Sequence, residues 1–462
     1  MLIPLRAAGA LSAFLLITAI VQGQPARGMA ATVTVQATDR DTFVPATITV
    51  HVGDTLRWIN ASQQIHTITD DVRRAAYAGD ALLPAGAAPF HSGYLKPGAV
   101  FEHTFSVAGA YHYFCIPHEG LGMLGSVVVL PAGSSTGVAP AASPRATDAT
   151  ATSTAEQVVA DPVAFPSPVF VTLQRTGAIE AFPQQIVWGG FPQAHYISSG
   201  PGGGVLLIGG FQNGMAYLAD GKNGARLAAF SLGGLIQGVK IDPQGHYGLV
   251  VDAGLSRLAV IDLKTRKLVR MIPVGKTPHN VTFAPNGSRA YVTIQGGRAI
   301  DVIDMETLAV KRVIELPNVN GPHNIDLAPD FKTAWVRSYG QPNQDGEAVD
   351  VNLRSGRIVH DSTVGFYHGG IDIRPLGSYV FTSNIGANTV DVLNSQTGSV
   401  IQTITVGSGP HGIRESADGK WLYVATTKAN TLVVIDTKTL SIVQTIPLKG
   451  INPFWIAVVG NE

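Results

Sequence analysis

The sequence predicts an all-β protein: a small N-terminal Greek-key sandwich, a flexible linker, and a C-terminal seven-bladed ring of four-stranded sheets. Three observations carry that expectation. Residues 31–131 alternate apolar and polar side chains in short runs broken at Gly and Pro, as in TFVPATITVHVGDTLRWIN, where the Gly-Asp pair reads as a turn between antiparallel strands. Residues 132–165 are rich in Ala, Ser, Thr and Pro and poor in aromatics, so they bury too little apolar surface to order themselves. Between 166 and 462 one pattern restarts seven times at intervals of 42–45 residues, the length of four short strands with their turns.

Composition bounds the rest. A chain of 462 residues with 45% apolar content exceeds one ordinary domain and has ample material for a core. Lys plus Arg equal Asp plus Glu at 32 each, so no charge field steers nucleic acid or an anionic membrane onto it, and nucleic-acid binding is set aside. Residues 1–30 carry one Arg ahead of an apolar run from Ala7 to Val21, followed by small residues, the pattern of a secretory signal. An uncleaved anchor helix is the alternative, for which the run is short. The expectation is a periplasmic or extracellular protein with no membrane span after signal cleavage. Disulfides are permitted there, yet the chain has one Cys and forms none internally.

That cysteine lies in YHYFCIPHEGLGMLGSVVV, where two residues separate Cys115 from His118 and four separate His118 from Met123. A thiolate, an imidazole and a thioether on one short loop can face one ion, and His66 in WINASQQIHTIT supplies a second imidazole. Sulfur-rich trigonal coordination with a weak axial Met is a type 1 copper set. Each residue alone could simply pack as a core side chain; the coincidence of all four types in this order favours copper. The stretch resembles the plastocyanin, pseudoazurin and amicyanin group of cupredoxins, on FVPATITVHVGDTLRWIN, HSGYLKPG and CIPHEGLGM. The resemblance implies His66, Cys115, His118 and Met123 as the ligands. It departs at Thr67, where plastocyanins often have Asn, and so leaves the hydrogen bonding around the site open. The linker, with a mean reach of roughly 30 Å, would hold the copper domain near its neighbour at millimolar effective concentration.

The repeat starts fall at His195, Gln237, His279, His323, His368, His411 and Phe454. Each opens an inner strand, followed by a Pro/Asn/Asp-Gly turn and further strands such as LYVAT, TLVVIDTKT and SIVQTIPLKG. The last unit has only its inner strand. The stretch before the first start, from about Phe170, offers the strands it lacks, so the C-terminal strand is expected to close a seven-bladed ring and remove its edges. These repeats, above all YVFTSNIGANTVDVLNSQTGSVIQTI, resemble the YVTN-type β-propeller family, a resemblance that implies a fold and no particular chemistry.

Five of the seven starts are His, and in the register above His195, His279, His323, His368 and His411 converge on one mouth of the channel. Gln237 and Phe454 close the ring, with Trp455, Tyr196 and Tyr367 nearby. Neutral imidazoles suit copper, zinc or iron, so these five form a candidate second metal site. A polar mouth binding a small anion or organic ligand, and rings that only fix the turn by bonding to the next blade, are the competing readings. His368 stands one residue further from its Pro375 than its counterparts do from theirs. His51, His91, His103, His112, His246 and His360 read as surface, and Asp262, Asp304 and Asp436 as turn chemistry. The propeller carries no G-x-S-x-G elbow, P-loop or H-E-x-x-H motif.

Function then reads as single-electron transfer through copper to or from a redox partner protein by the exposed edge of His118. The propeller would serve as docking platform or second metal or redox site. Electron transfer without a substrate of its own is favoured over a copper-dependent oxidoreductase. A propeller that only locates the copper domain, and copper storage or delivery, are the alternatives. The parts resemble nitrous oxide reductase, but that family places its cupredoxin last and needs two cysteines, so its activity is not assigned.

Overall fold

The computed structural model describes residues 30–38, 41–62, 64–75, 79–119, 123–132, 164–340, 344–373 and 377–461. Residues 1–29 of the expected signal and 133–163 of the expected linker lie outside the described residues. The first folded part has seven strands: β1 (Thr32–Ala37), β2 (Phe43–Val44), β3 (Thr47–His51), β4 (Thr55–Asn60), β5 (Val100–Thr104), β6 (Gly109–Phe114) and β7 (Leu124–Leu130). They form two sheets, β2-β1-β4-β5 and β3-β7-β6. The period-2 pattern turns Val35, Ile48, Val50, Leu56, Trp58, Tyr113, Val127 and Val129 into a shared core.

The antiparallel reading of this part needs correction. β1 runs parallel to β4, and β3 parallel to β7. Gly53-Asp54 is therefore a corner between two sheets rather than a hairpin. Asp54 pins it, accepting the N–H groups of Ala31 and His51 at 2.8 Å each.

The second part is seven four-stranded antiparallel sheets around a channel. The restart at Phe454 closes the ring as expected. Pro453–Val458 pairs antiparallel with Val169–Leu173, joining the last strand of the chain to the first of the propeller. Inner strands such as Ala194–Ser199, Pro278–Phe283, Pro322–Leu327 and Pro410–Glu415 are buried at every residue, because a neighbouring inner strand flanks each side. Gly412 permits that closeness: a Cβ there would lie 2.6 Å from the Phe454 carbonyl oxygen. In the blade of His368 the inner strand shrinks to Ile371–Asp372, and Pro375 lies outside the described residues.

Two further readings are adjusted. Ala164 and Phe165, assigned to the linker, pack on the ring. Phe165 stacks on Phe182 and Tyr423 with centroids at 5.0 and 5.3 Å, and the Tyr423 hydroxyl donates to the Ala164 carbonyl. His103 and His360 are half-buried rather than free surface, the first between Phe90 and Phe105, the second over Trp335 and 3.3 Å from Asp350. Asp262, Asp304 and Asp436 do cap turns, each accepting backbone N–H groups two or three residues ahead.

Candidate copper centre and the chamber it faces

Cys115 follows the end of β6, and the backbone folds the ligand loop back on itself. Cys115 N–H donates to Met123 O at 3.1 Å, His118 N–H to Cys115 O at 3.0 Å, and Met123 N–H to His118 O at 3.1 Å. The His66 loop is tied to the same strand by the paired bonds between Thr69 and Phe114. Two separated stretches thus bring their side chains to one point. The Cys115 sulfur lies 3.3 Å from His118 Nδ1 and 3.6 Å from His66 Nδ1, and the two nitrogens are 3.0 Å apart. These three residues are the one group of three metal-ligating side chains with donor atoms gathered within 4.8 Å among the described residues. Met123, fully buried, packs in the same core cluster as Cys115.

The groups behind the ligands orient them. Ser62 Oγ sits 2.8 Å from His66 Nε2 and hydrogen-bonds on to Asn60 Oδ1 at 2.7 Å, so Nε2 carries the proton and Nδ1 presents its lone pair inward. Thr67 answers the departure noted in the sequence: its N–H donates to Cys115 Sγ at 3.3 Å, and its hydroxyl accepts the Ile116 N–H at 2.7 Å. Burial pushes the Cys115 thiol up to about 12, so a thiolate persists there only beside a cation. Burial, then the nearby His66, holds His118 well below the usual imidazole range. Two lone-pair nitrogens, one sulfur needing a cation and a buried thioether fit one type 1 copper ion, which supplies one-electron chemistry when bound.

The edge of His118 is not open to solvent as expected from the sequence. The residue is 3% exposed, and its Nε2 is buried without a hydrogen-bond partner. It faces the propeller. Arg175, in a turn between second and third strands of a blade, grips Asp80 of the copper domain through two bonds of 2.8 and 3.1 Å. Gln212, in the corresponding turn of the next blade, donates to the Asp41 carbonyl at 3.2 Å. Successive antiparallel strands put those turns on the same face as the inner-strand starts, so docking places His118 over the ring of histidines.

Between them lies a chamber of about 820 Å³, walled by Asp41, Gln64, Ile65 and His118 on one side and by the propeller mouth on the other. All five predicted histidines line it, as do Gln237, Phe454 and Tyr367. Trp455 and Tyr196 sit behind, their rings tilted against each other with centroids 4.3 Å apart. Hydroxyls of the preceding blade set the histidine backbones: Thr172, Thr293 and Ser383 donate to the carbonyls of His195, His323 and His411 at 2.6–2.7 Å. Burial drives all five imidazoles far down, His279 and His411 to about 3, so they are neutral.

The ring converges, but not as a cage for one ion. No three of its nitrogens gather within 4.8 Å among the described residues. Their hydrogen bonds also fix different faces. His195 Nε2 donates to Gln237 Oε1 at 3.3 Å and His279 Nδ1 to His323 O at 3.3 Å, whereas His323 Nδ1 accepts from the Asn324 amide at 3.0 Å. The His279 bond to the next blade is the turn-fixing role, and the Phe454 backbone offers His411 the same; His195 Nδ1 and His368 Nδ1 have no such partner. Asp41 and Tyr339 are wall residues that sequence reasoning missed. Asp41 lies with Oδ1 3.5 Å from His118 Nδ1, and Tyr339 shares a 3.1 Å hydrogen bond with Tyr367. Neither carries a motif signal: Asp41 joins the wall only by docking, and Tyr339 is a loop residue held within the propeller against Tyr367 and His368.

Comparison with known proteins agrees with this geometry. The family described as copper binding proteins, plastocyanin/azurin family, matches residues 28–130, and that described as lactonase, 7-bladed beta-propeller, matches residues 238–441. Chloroplastic plastocyanin of Tetradesmus obliquus is 40% identical over 90 residues, covering 19% of this chain and 57% of that protein. Plastocyanin of Scenedesmus fuscus is 36% identical over 91 residues, covering 19% of this chain and 85% of that protein. Among solved structures, hydrazine synthase of Kuenenia stuttgartiensis superposes with a TM-score of 0.51 at 18% identity, over 58% of this chain and 90% of that one. A functionally unknown protein from Desulfotomaculum acetoxidans does so with 0.54 at 13% identity, over 64% and 100%. These last two are similar in fold alone. With its ligand loop, its two-sheet sandwich and 85% of a plastocyanin spanned at 36% identity, the chain belongs through its N-terminal domain to the plastocyanin/azurin family of copper binding proteins, joined here to a seven-bladed propeller.

Proposed function

We propose that this is an exported electron-transfer protein whose propeller is a docking platform, holding the copper domain so that His118 exchanges single electrons into the chamber. The observation carrying this reading is His118 itself: a copper ligand whose remote edge is covered by the chain's own second domain. The contribution of the protein is positional. Thr67 and the backbone bonds of the ligand loop hold Cys115, Ser62 holds His66, and Asp80 with Arg175 hold the domain in place. Export rests on residues 1–30 of the sequence; among the described residues no helix is long and apolar enough to cross a membrane. His66, Cys115, His118 and Met123 are the proposed ligands, and a redox partner protein would gain access when the copper domain undocks.

Stopped-flow reduction of the copper-loaded full chain tests the docking. A small complex such as ferrocyanide should react freely, while a reduced cytochrome c should react about tenfold slower or worse, and Asp80→Lys should restore the cytochrome rate. Equal rates for both reagents in the unaltered protein would sink the reading.

A further inference from the structure

The chamber has unanswered hydrogen-bonding capacity of both kinds. When Nδ1 of His118 serves a metal, its Nε2 must carry the ring proton, and that N–H is buried with no partner. On the propeller side the hydrogen bonds fix the ring faces. His323 gives its Nδ1 lone pair to Asn324, which leaves an N–H at Nε2. His195 and His279 donate elsewhere and so present lone pairs, His195 from a buried and unpartnered Nδ1. Leaving several buried polar atoms unmet is costly.

The walls add two more constraints. Lys276, Arg298 and Lys428 line the chamber against one carboxylate, Asp41. The buried Arg337 lies close enough behind for its charge to act on His323 and His368. Flat rings form much of the surface: Phe211 stacks on His195 at 4.3 Å, Phe454 on His195 at 3.7 Å, and Tyr339 on His368 at 4.9 Å. At about 820 Å³ the space is of the size of a small-molecule site, far beyond one ion or one water.

We propose that the chamber is a binding site for a small aromatic acid bearing a hydroxyl group, seated between His118 and the histidine ring. The carboxylate faces Lys276 and Arg298, neighbours on the His279 blade. The hydroxyl donates to the remaining lone pair of His279, and an oxygen accepts from His118 Nε2–H or His323 Nε2–H. The aromatic body lies among Phe211, Phe454, Tyr339 and Tyr367. This inference rests on the docked arrangement of the proposed function and deepens it by naming what occupies the space.

The test is calorimetric titration of the copper-loaded full chain with 4-hydroxybenzoate, beside benzoate and phenol. Saturable binding of one molecule per chain is expected, weakened about tenfold or more for either truncated probe and for the double variant Lys276→Glu, Arg298→Glu. A second readout is the reduction potential of the centre, which should move when the ligand binds in the unaltered protein and stay fixed in His279→Phe. Absence of saturable heat, or affinity indifferent to charge reversal and to His279→Phe, overturns the inference. Small-angle scattering separates the two failures: a docked chain that binds no probe removes only the chamber ligand, and an undocked chain removes the docking itself.

Discussion

At the scale of single residues, the copper ligands were legible because four chemically distinct side chains in a fixed order have few other uses. Cys115→Ser should abolish the strong absorption expected at about 600 nm in the copper-loaded protein, a check that needs only a spectrum. Thr67 was visible only as a departure; its two contacts needed coordinates, because they link loops 48 and 49 positions apart. Thr67→Val strands the Ile116 N–H and should cost about 1–2 kcal/mol, read as a lowered thermal midpoint. Asp70 offers a test by pH. Burial pushes its carboxyl up from 3.8 to about 7, against the Phe90 N–H bond of 2.7 Å. The folded protein therefore binds this proton more tightly than the unfolded chain does. Its stabilising effect is complete below the unfolded value and drains away as pH rises towards 7. Asp70→Asn should flatten that slope and raise stability at about pH 8 by roughly 2 kcal/mol, seen in thermal melts across pH.

At the scale of elements, periodicity located strands well and said nothing of their direction. Alternation in β3 and β4 is the same whether the partner runs parallel or antiparallel, which is why Gly53-Asp54 read as a hairpin when it turns between sheets. Phe165 escaped notice because the short run VVADPVAF at the end of an Ala-, Ser- and Thr-rich tract has no strand period, although stacking on Phe182 and Tyr423 fixes the ring. The propeller was the clearer case, since each restart repeats the same inner strand, turn and outer strands, and the unpaired last strand demanded a partner. Neighbouring inner strands leave no room for a side chain at Gly412, where a Cβ would come within 2.8 Å of the Trp455 Cα. Gly412→Ala should force two blades apart at a cost of about 2–3 kcal/mol, measurable as a lower urea midpoint.

For the whole molecule, the docked arrangement was beyond the sequence. Its main polar clasp joins Asp80 to Arg175 across 95 positions, one residue from each of two unremarkable loops. Composition predicted a tether and a range of reach, but no preferred pose. Arg175→Ala leaves a nearly buried carboxylate without its guanidinium and should expand the radius of gyration in scattering at physiological salt, with the copper spectrum unchanged. The ring closure carries a consequence for biogenesis. Because Pro453–Val458 completes the blade that begins at Val169, the propeller stays a broken circle until that strand has been made. The sandwich, finished some three hundred residues earlier, must mature and wait as an independent body, and its seat comes into being only with the last strand.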